Sequence, residues 1–268
     1  MSRKRALVND LYKSKKRICA ALNSDAKNSD LITEEAGSSY KADDIPCDTK
    51  VALLHLQGLF PVDRFDDRIP AMIIKHQLYS ILPNRTLVDK QLNDLKNDGE
   101  VKLFKLGVDM DDYCIMFTSD YKAHVQGVMA DLGTPKPVIE KFTQSLITKH
   151  RDVCISKETL MEEYQFTDQE ITHLVKASVL TVKTIGGWWI AVPNAGIFMK
   201  SFLRGRKALL RMISKSKYRE ILRKELEQRK WPKICKLGLM YHLHDVIGAD
   251  LIQCIETTSG QLLRLKDS

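Results

Sequence analysis

The sequence has no close cysteine pairs. Its six cysteines (Cys19, Cys47, Cys114, Cys154, Cys235 and Cys254) are scattered and form no C-x-x-C, whereas structural zinc sites draw on closely spaced ligands. The nearest thing to a cluster is Cys235, His242, His244 and Cys254. A His-x-His inside an apolar segment is expected to serve packing or a local hydrogen bond, so no metal and no cofactor are expected. Reduced, mostly buried thiols are. The chain also lacks a window of 18 apolar residues, so no membrane span is expected. Its first residues, MSRKRALVNDLYKSKKR, hold no apolar core of the signal-peptide kind. The expected location is the cytosol–nucleus side.

Catalytic constellations are missing as well. His150-Arg151-Asp152 spells the tripeptide of a protein-kinase catalytic loop, but Lys157 stands where the metal-binding Asn should follow. There is no D-F-G, glycine-rich loop or V-A-I-K strand, and phosphoryl transfer needs those parts together. Neither G-x-S-x-G, a Walker lysine loop nor H-E-x-x-H occurs. The sequence reads as that of a non-enzyme.

What is present is positive charge, unevenly placed. Between Lys200 and Lys236 fourteen Lys or Arg residues face three acids, Glu220, Glu225 and Glu227. This net +11 exceeds the +8 of the whole chain. Residues 1–17 contribute a further +6, so the remainder is net −9 and the basic regions are local devices. A field of this size attracts polyanions and makes their binding salt-sensitive. Three acids cannot neutralise fourteen bases, which favours a binding surface over a solvated helix face. The candidate DNA-binding residues are Lys200, Arg204, Arg206, Lys207, Arg211, Lys215, Lys217, Arg229 and Lys230, with Arg85 as an outlying phosphate contact. Residues 1–47 are polar, without lasting hydrophobic period, and read as a disordered tail. Arg3-Lys4-Arg5 and Lys13, Lys15, Lys16 and Arg17 form two basic clusters like a bipartite nuclear-import signal. The alternatives are a nucleic-acid arm or a solvated tail.

Hydrophobic periodicity then divides the chain. A helix-like stripe (Val51, Leu54 and Leu59, with Leu53 and Leu56 beside them) opens order near Asp48. Ile69–Leu82 reads as a second helix, and LVDKQLNDLKNDG after Thr86 as a third. Two apolar runs flanking Gly107–Asp112 suit a hairpin. Val138–Ile147, the Ser156-capped KETLMEEY and the capping box Thr167–Glu170 before ITHLVKA give three more helices. Two strands around Gly186-Gly187 follow, carrying Trp188-Trp189, one expected in the core and the other at a surface or domain contact. Trp231, lying among bases, is more open to a ligand role.

Leu92, Leu95, Val101 and Leu103 recur 79 residues later as Ile171, Leu174, Leu180 and Val182. A fainter third copy places Leu251 and Cys254 on a helix over Ala249–Glu256, preceded by helices over Lys217–Gln228 and Leu237–Ile247. Helix, helix, helix, hairpin is the order of a winged-helix domain. The expected fold is a helix-rich α+β chain of three tandem winged-helix domains after a disordered basic N-terminal tail. Their bounds are 1–47 (tail), 48–130, 131–195, and 196–268, the last with a basic linker helix over Ile197–Ile213. The presumptive reader helices carry acids, so backbone grip by the basic stretch is expected rather than sequence readout. The competing reading is a protein-interaction adaptor with little affinity for DNA.

Four segments carry a resemblance: QLYSILPNRTLVDKQL, ITHLVKASVLTVKTIGGWWIAVPNAG, KYREIL and LGLMYHLHDVIGADLIQCIETTSGQLLRL. They resemble the serine/threonine-protein kinase 19 family, over essentially residues 48–268. The resemblance implies a nuclear, non-enzymatic protein of three winged-helix domains that binds double-stranded DNA. It also implies a role in transcription-coupled nucleotide excision repair, within the complex on stalled RNA polymerase II. Its implied partners there are the Cockayne syndrome WD-repeat protein and transcription factor IIH, the latter being helped into position. The family's DNA contacts resemble the basic positions around Lys200, Arg204, Arg206, Lys215, Lys217, Arg229 and Lys230.

Overall fold

The computed structural model describes residues 47–106, 113–233 and 235–266, all within the compact unit Ile45–Ser268. The basic clusters at Arg3–Arg5 and Lys13–Arg17, and the expected hairpin loop Gly107–Asp112, lie outside the described residues.

Helices alternate with three small antiparallel sheets. The first unit holds α1 (Asp48–Gly58), β1 (Ile73–Ile74), a 3-10 turn (Lys75–Ser80), α2 (Arg85–Asp98), β2 (Val101–Lys105) and β3 (Tyr113–Phe117). After α3 (Thr118–Asp131), α4 (Lys136–Glu140) runs through a π-helical segment (Lys141–Leu146) into α5 (Ile147–Lys149). The second unit continues with β4 (Cys154–Ser156), α6 (Lys157–Glu162), α7 (Asp168–Lys176), β5 (Leu180–Thr184) and β6 (Gly187–Ile190). The long α8 (Ala195–Ser214) enters the third unit. There a 3-10 turn (Lys217–Arg219) precedes β7 (Glu220–Leu222), α9 (Arg223–Gln228), α10 (Leu239–Gly248), β8 (Ile252–Thr257) and β9 (Gly260–Leu265).

Each sheet places its last strand in the middle, in the orders β1-β3-β2, β4-β6-β5 and β7-β9-β8. The registers coincide. Ile115 lies between Ile73 and Leu103, Trp188 between Ile155 and Val182, and Leu263 between Ile221 and Cys254. The 79-residue repeat is therefore structural: Leu92 and Leu95 are buried on α2 as Ile171 and Leu174 are on α7. The third copy is not where leucine spacing put it. Ala249–Glu256 is no helix; Cys254 lies on β8, and the helix before that strand is α10 with Leu243 and Val246 buried. The third copy thus follows the second by 72 residues, because Val246 stands six residues before Ile252 as Leu174 stands six before Leu180.

The expected helices over Ile69–Leu82 and Lys217–Gln228 are corrected in the same way. Each contains a strand of two or three residues, β1 or β7, that pairs with the middle strand. Ile73-Ile74 is β-branched and buried on both faces, so its apolar run carries no period to tell strand from helix. Gln77 supports the turn that follows by accepting the Ile74 amide at 2.8 Å. The α1 stripe is also rotated from expectation. Thr49, Ala52, Leu53 and Leu56 face inward, while Val51 and Leu54 are half exposed. Thr49 donates to Gln91 Oε1 on α2 at 2.6 Å, which fixes that rotation. The caps behave as read: Ser156 accepts from the Thr159 amide, and Thr167 with Glu170 forms a capping box.

Three clusters of buried side chains hold the units together. One belongs to the first unit (Leu53, Leu56, Val88, Leu92, Ile115) and one to the third (Leu209, Ile213, Leu243, Val246, Leu263). The largest is shared, joining Phe65, Phe104 and Tyr121 with Phe142, Leu160 and Phe166 and with Phe198, Phe202 and Tyr241. Helix α8 thus gives its first half to the shared core and its second half to the third unit's core.

A polar joint ties the first unit to the third. Asp245 on α10 is fully buried; His76 Nε2 lies 2.6 Å from its Oδ1, and Arg206 Nε of α8 donates to its Oδ2 at 2.8 Å. Around them Gln77 donates to the Tyr241 carbonyl, Tyr241 donates to the Met72 carbonyl at 2.7 Å, and Ser80 meets His244 Nδ1 at 2.8 Å. Glycine permits the close approach. A Cβ on Gly205 would sit on the His242 ring, and one on Gly248 on the His76 carbonyl.

Candidate nucleic-acid interface

Helix α8 forms because twenty residues keep one apolar face, with Phe198, Ser201, Phe202, Gly205, Leu209 and Ile213 buried. At 100° per residue the opposite face carries Lys200, Arg204, Lys207 and Arg211, spaced i, i+4, i+7 and i+11 and all exposed. They form one stripe about 16 Å long, from the 1.5 Å rise per residue. Lys215 continues it just past the helix end. None of the five takes part in an ion pair among the described residues. No acid occupies the helix's first turn.

The structure sorts the other candidates differently. Arg206 lies off the stripe, bound to Asp245 and stacked over Phe202 at 4.6 Å. Arg229 pairs with Glu225 at 2.7 Å and reaches the Met212 carbonyl near the end of α8. Arg85 lies against Tyr79 and pairs with Asp250 at 2.7 Å, bridging the first and third units. Lys217 sits over Tyr218, and Lys230 is exposed without an ion pair among the described residues. The three acids of the basic stretch are all occupied: Glu220 by Arg264, Glu225 by Arg229 and Glu227 by Arg223. Sequence composition could not separate these roles; helical phase does, once the buried face is known.

A second cationic patch adjoins the third unit. Arg64, Lys233 and Lys236 line a cavity of about 430 Å³ with Trp231 and Pro232. The Trp231 indole is fixed there, donating to the Leu237 carbonyl at 2.9 Å and stacking on His242 at 5.7 Å. The helices that would act as readers are ill suited to phosphate. α2 exposes Asp94 and Asp98, α7 exposes Asp168, and α10 is largely buried against the Lys75–Ser80 turn.

The remaining sequence candidates have structural work. His150 Nε2 meets the Cys154 carbonyl at 2.9 Å, and Lys102 donates to the His150 carbonyl at 2.6 Å. Asp152 is exposed, 3.9 Å from Lys96. Burial, with Arg151, Lys122 and Lys96 nearby, lowers Lys102 to about 8. Burial also lowers His244 to about 4, helped by His55 and Arg223. His242 and His244 point into different surroundings, and no group of three or more His, Cys, Asp or Glu could hold a metal ion among the described residues. Cys114 and Cys235 are buried, but Cys47 and Cys154 are half-buried and Cys254 is exposed, so burial of the thiols is less general than expected. Among the described residues no helix is long and apolar enough to cross a membrane.

Three sheets of one strand order and a long helix with one exposed cationic face define a helix-rich α+β repeat protein. The chain belongs to the family described as Inactive serine-threonine protein kinase 19, which matches residues 50–265. Relatives named Winged helix repair factor 1 are similar along most of its length. The human protein is 44% identical over 83% of this chain and 87% of its own. The mouse protein is 44% identical over 81% and 85%. That of Xenopus laevis is 38% identical over the whole of both chains.

Proposed function

We propose that this chain is a non-enzymatic DNA-repair factor of three winged-helix units that grips duplex DNA by its backbone. The observation that carries the reading is the α8 stripe: Lys200, Arg204, Lys207 and Arg211 aligned on one exposed face, with no acid to pair them among the described residues. The names of the relatives support the repair role and the winged-helix assignment. Acidic or buried reader helices support backbone contact rather than base readout. Arg206, Arg229 and Arg85 serve chiefly to hold the frame; Lys215, Lys217 and Lys230 extend the grip. The tail at Arg3–Arg17 is proposed to direct the chain to the nucleus. In that setting it acts in transcription-coupled nucleotide excision repair, on the stalled RNA polymerase II complex with the Cockayne syndrome WD-repeat protein and transcription factor IIH.

The test is a salt titration of duplex binding by fluorescence anisotropy. Four to five neutralised phosphates give a log–log slope of about −3.6 to −4.5, a loss of at least about a hundredfold between 50 and 200 mM salt. The variant Lys200→Glu, Arg204→Glu, Lys207→Glu, Arg211→Glu should lose binding while melting like the parent, because all four side chains are exposed. Unchanged affinity in that variant defeats the reading. Absence of duplex binding by the parent at physiological salt would favour the adaptor reading.

A further inference from the structure

Where the first unit meets the second, a cavity of about 660 Å³ opens between Phe104, Lys105 and Leu106 at the end of β2, Thr181, Val182 and Lys183 of β5, and the start of α8. Its size is that of a ligand pocket. Adjacent residues on a strand point to opposite faces. Trp189 of the middle strand and its register partner Thr181 share one face, so the cavity lies over that face and reaches the outer edge of β5 at Val182 and Lys183. Among the described residues both strands are outer ones: β2 pairs with β3 alone, and β5 with β6 alone. The far edge of β5, where Thr181, Val182 and Lys183 are all exposed, has no strand partner there, and an extended segment can add to it.

The side chains around this edge are selective. Trp189 presents a half-buried indole, with the Lys105 ammonium 5.3 Å and the Lys183 ammonium 4.4 Å from the ring. Neither lysine has an ion pair among the described residues, and no carboxylate lines the cavity. The rest of the wall is mainly apolar, including Leu106, Val192 and Met199. On the solvent side Val182 is 71% exposed.

We infer that this cavity is a docking site for an extended acidic peptide of a partner protein, which adds to a free strand edge and seats one bulky apolar side chain beside Trp189. Its carboxylates pair with Lys105 and Lys183. Gly196 and Met199 border the cavity within a turn of Lys200, so the site adjoins the start of the α8 stripe and leaves Arg204, Lys207 and Arg211 uncovered.

The test pans a display library of random decapeptides against the full chain, with counter-selection on the Trp189→Ala, Lys183→Glu variant. Enriched peptides are synthesised and measured by fluorescence anisotropy. They should combine a bulky apolar residue with flanking acids and weaken by about tenfold or more against Trp189→Ala, Lys183→Glu and Lys105→Glu separately. Lys183 is exposed, so its variant reports on docking even if Trp189→Ala unfolds. The variant Arg204→Glu, Lys207→Glu, Arg211→Glu should bind the same peptides unchanged, which keeps this result independent of the duplex-binding proposal. Failure to enrich acidic peptides, or enrichment of peptides indifferent to all three variants, overturns the inference. Binding of a thymidine dodecamer that Trp189→Ala abolishes, with no peptide enriched, also overturns it and gives the cavity to single strands.

Discussion

Replacing Asp245 by Ala should loosen the third unit from the first. The carboxylate is fully buried and holds Arg206, its side chain 17% exposed, and the His76 ring at 9%. Removing it takes from the Arg206 guanidinium the buried carboxylate that it holds in two hydrogen bonds, a loss of about 3–5 kcal/mol. The compact unit Ile45–Ser268 has roughly 220 residues, so at about 2.1 cal/mol/K per residue its unfolding entropy is about 460 cal/mol/K. The expected fall in Tm is therefore about 6–11 °C at neutral pH, read by circular dichroism. Burial pushes the Asp245 carboxyl up, but hydrogen bonds from Arg206 and the neighbouring histidines, with the Arg206 charge, together hold it well below the usual carboxylate range. A depressed folded value makes this stabilisation complete above an unfolded carboxylate's value of about 4 and lost as pH falls below it. The variant's acid limb should accordingly be shallower than the parent's. The double variant Asp245→Leu, Arg206→Met, which removes both charges and keeps volume, should recover much of the loss. A single-variant fall of less than about 1 kcal/mol would refute the view that this pair fastens the joint.

Gly205→Ala should be more damaging than a helix alanine ordinarily is, because the added methyl meets the His242 ring; a lower Tm with duplex binding retained in the folded fraction is expected. Burial lowers His244 to about 4, so the unfolded chain binds the extra proton first and stability should decline between about pH 6.5 and 4. His244→Gln should flatten that window in pH-dependent urea melts. Lys102 at about 8 is protonated at neutral pH against the pull of burial, so Lys102→Met should raise the midpoint there, with the gain shrinking as pH rises from about 8 towards 10.5. Arg85→Ala, which breaks an exposed bridge to Asp250, should change stability by less than about 1 kcal/mol.

The elements legible in the sequence were those long enough to show a period or marked by a cap. α7 announced itself through Thr167 and Glu170, and α8 through twenty residues with one apolar side. The first strand of every unit was invisible. Ile73-Ile74, Cys154–Ser156 and Glu220–Leu222 are too short to alternate, and only pairing with the middle strand defines them. Helix α3 was overlooked although Tyr121, Val125 and Met129 recur at four-residue spacing and are buried. For the interface, composition located the basic helix but could not divide its cations. Arg206 is chemically like Arg204, and only α10 lying against one side of α8 makes the first a strut and leaves the second on the exposed stripe. The edge cavity had no local signature at all, since Lys105 and Trp189 come from different units.

The two halves of α8 are rooted in different cores, and this has a mechanical consequence. The helix is an axle clamped at both ends: Phe198 and Phe202 grip one end, Leu209 and Ile213 the other. In the proposed duplex grip, torque on the exposed side is not relieved by swivelling one unit. It must be borne by the whole body or released by dissociation.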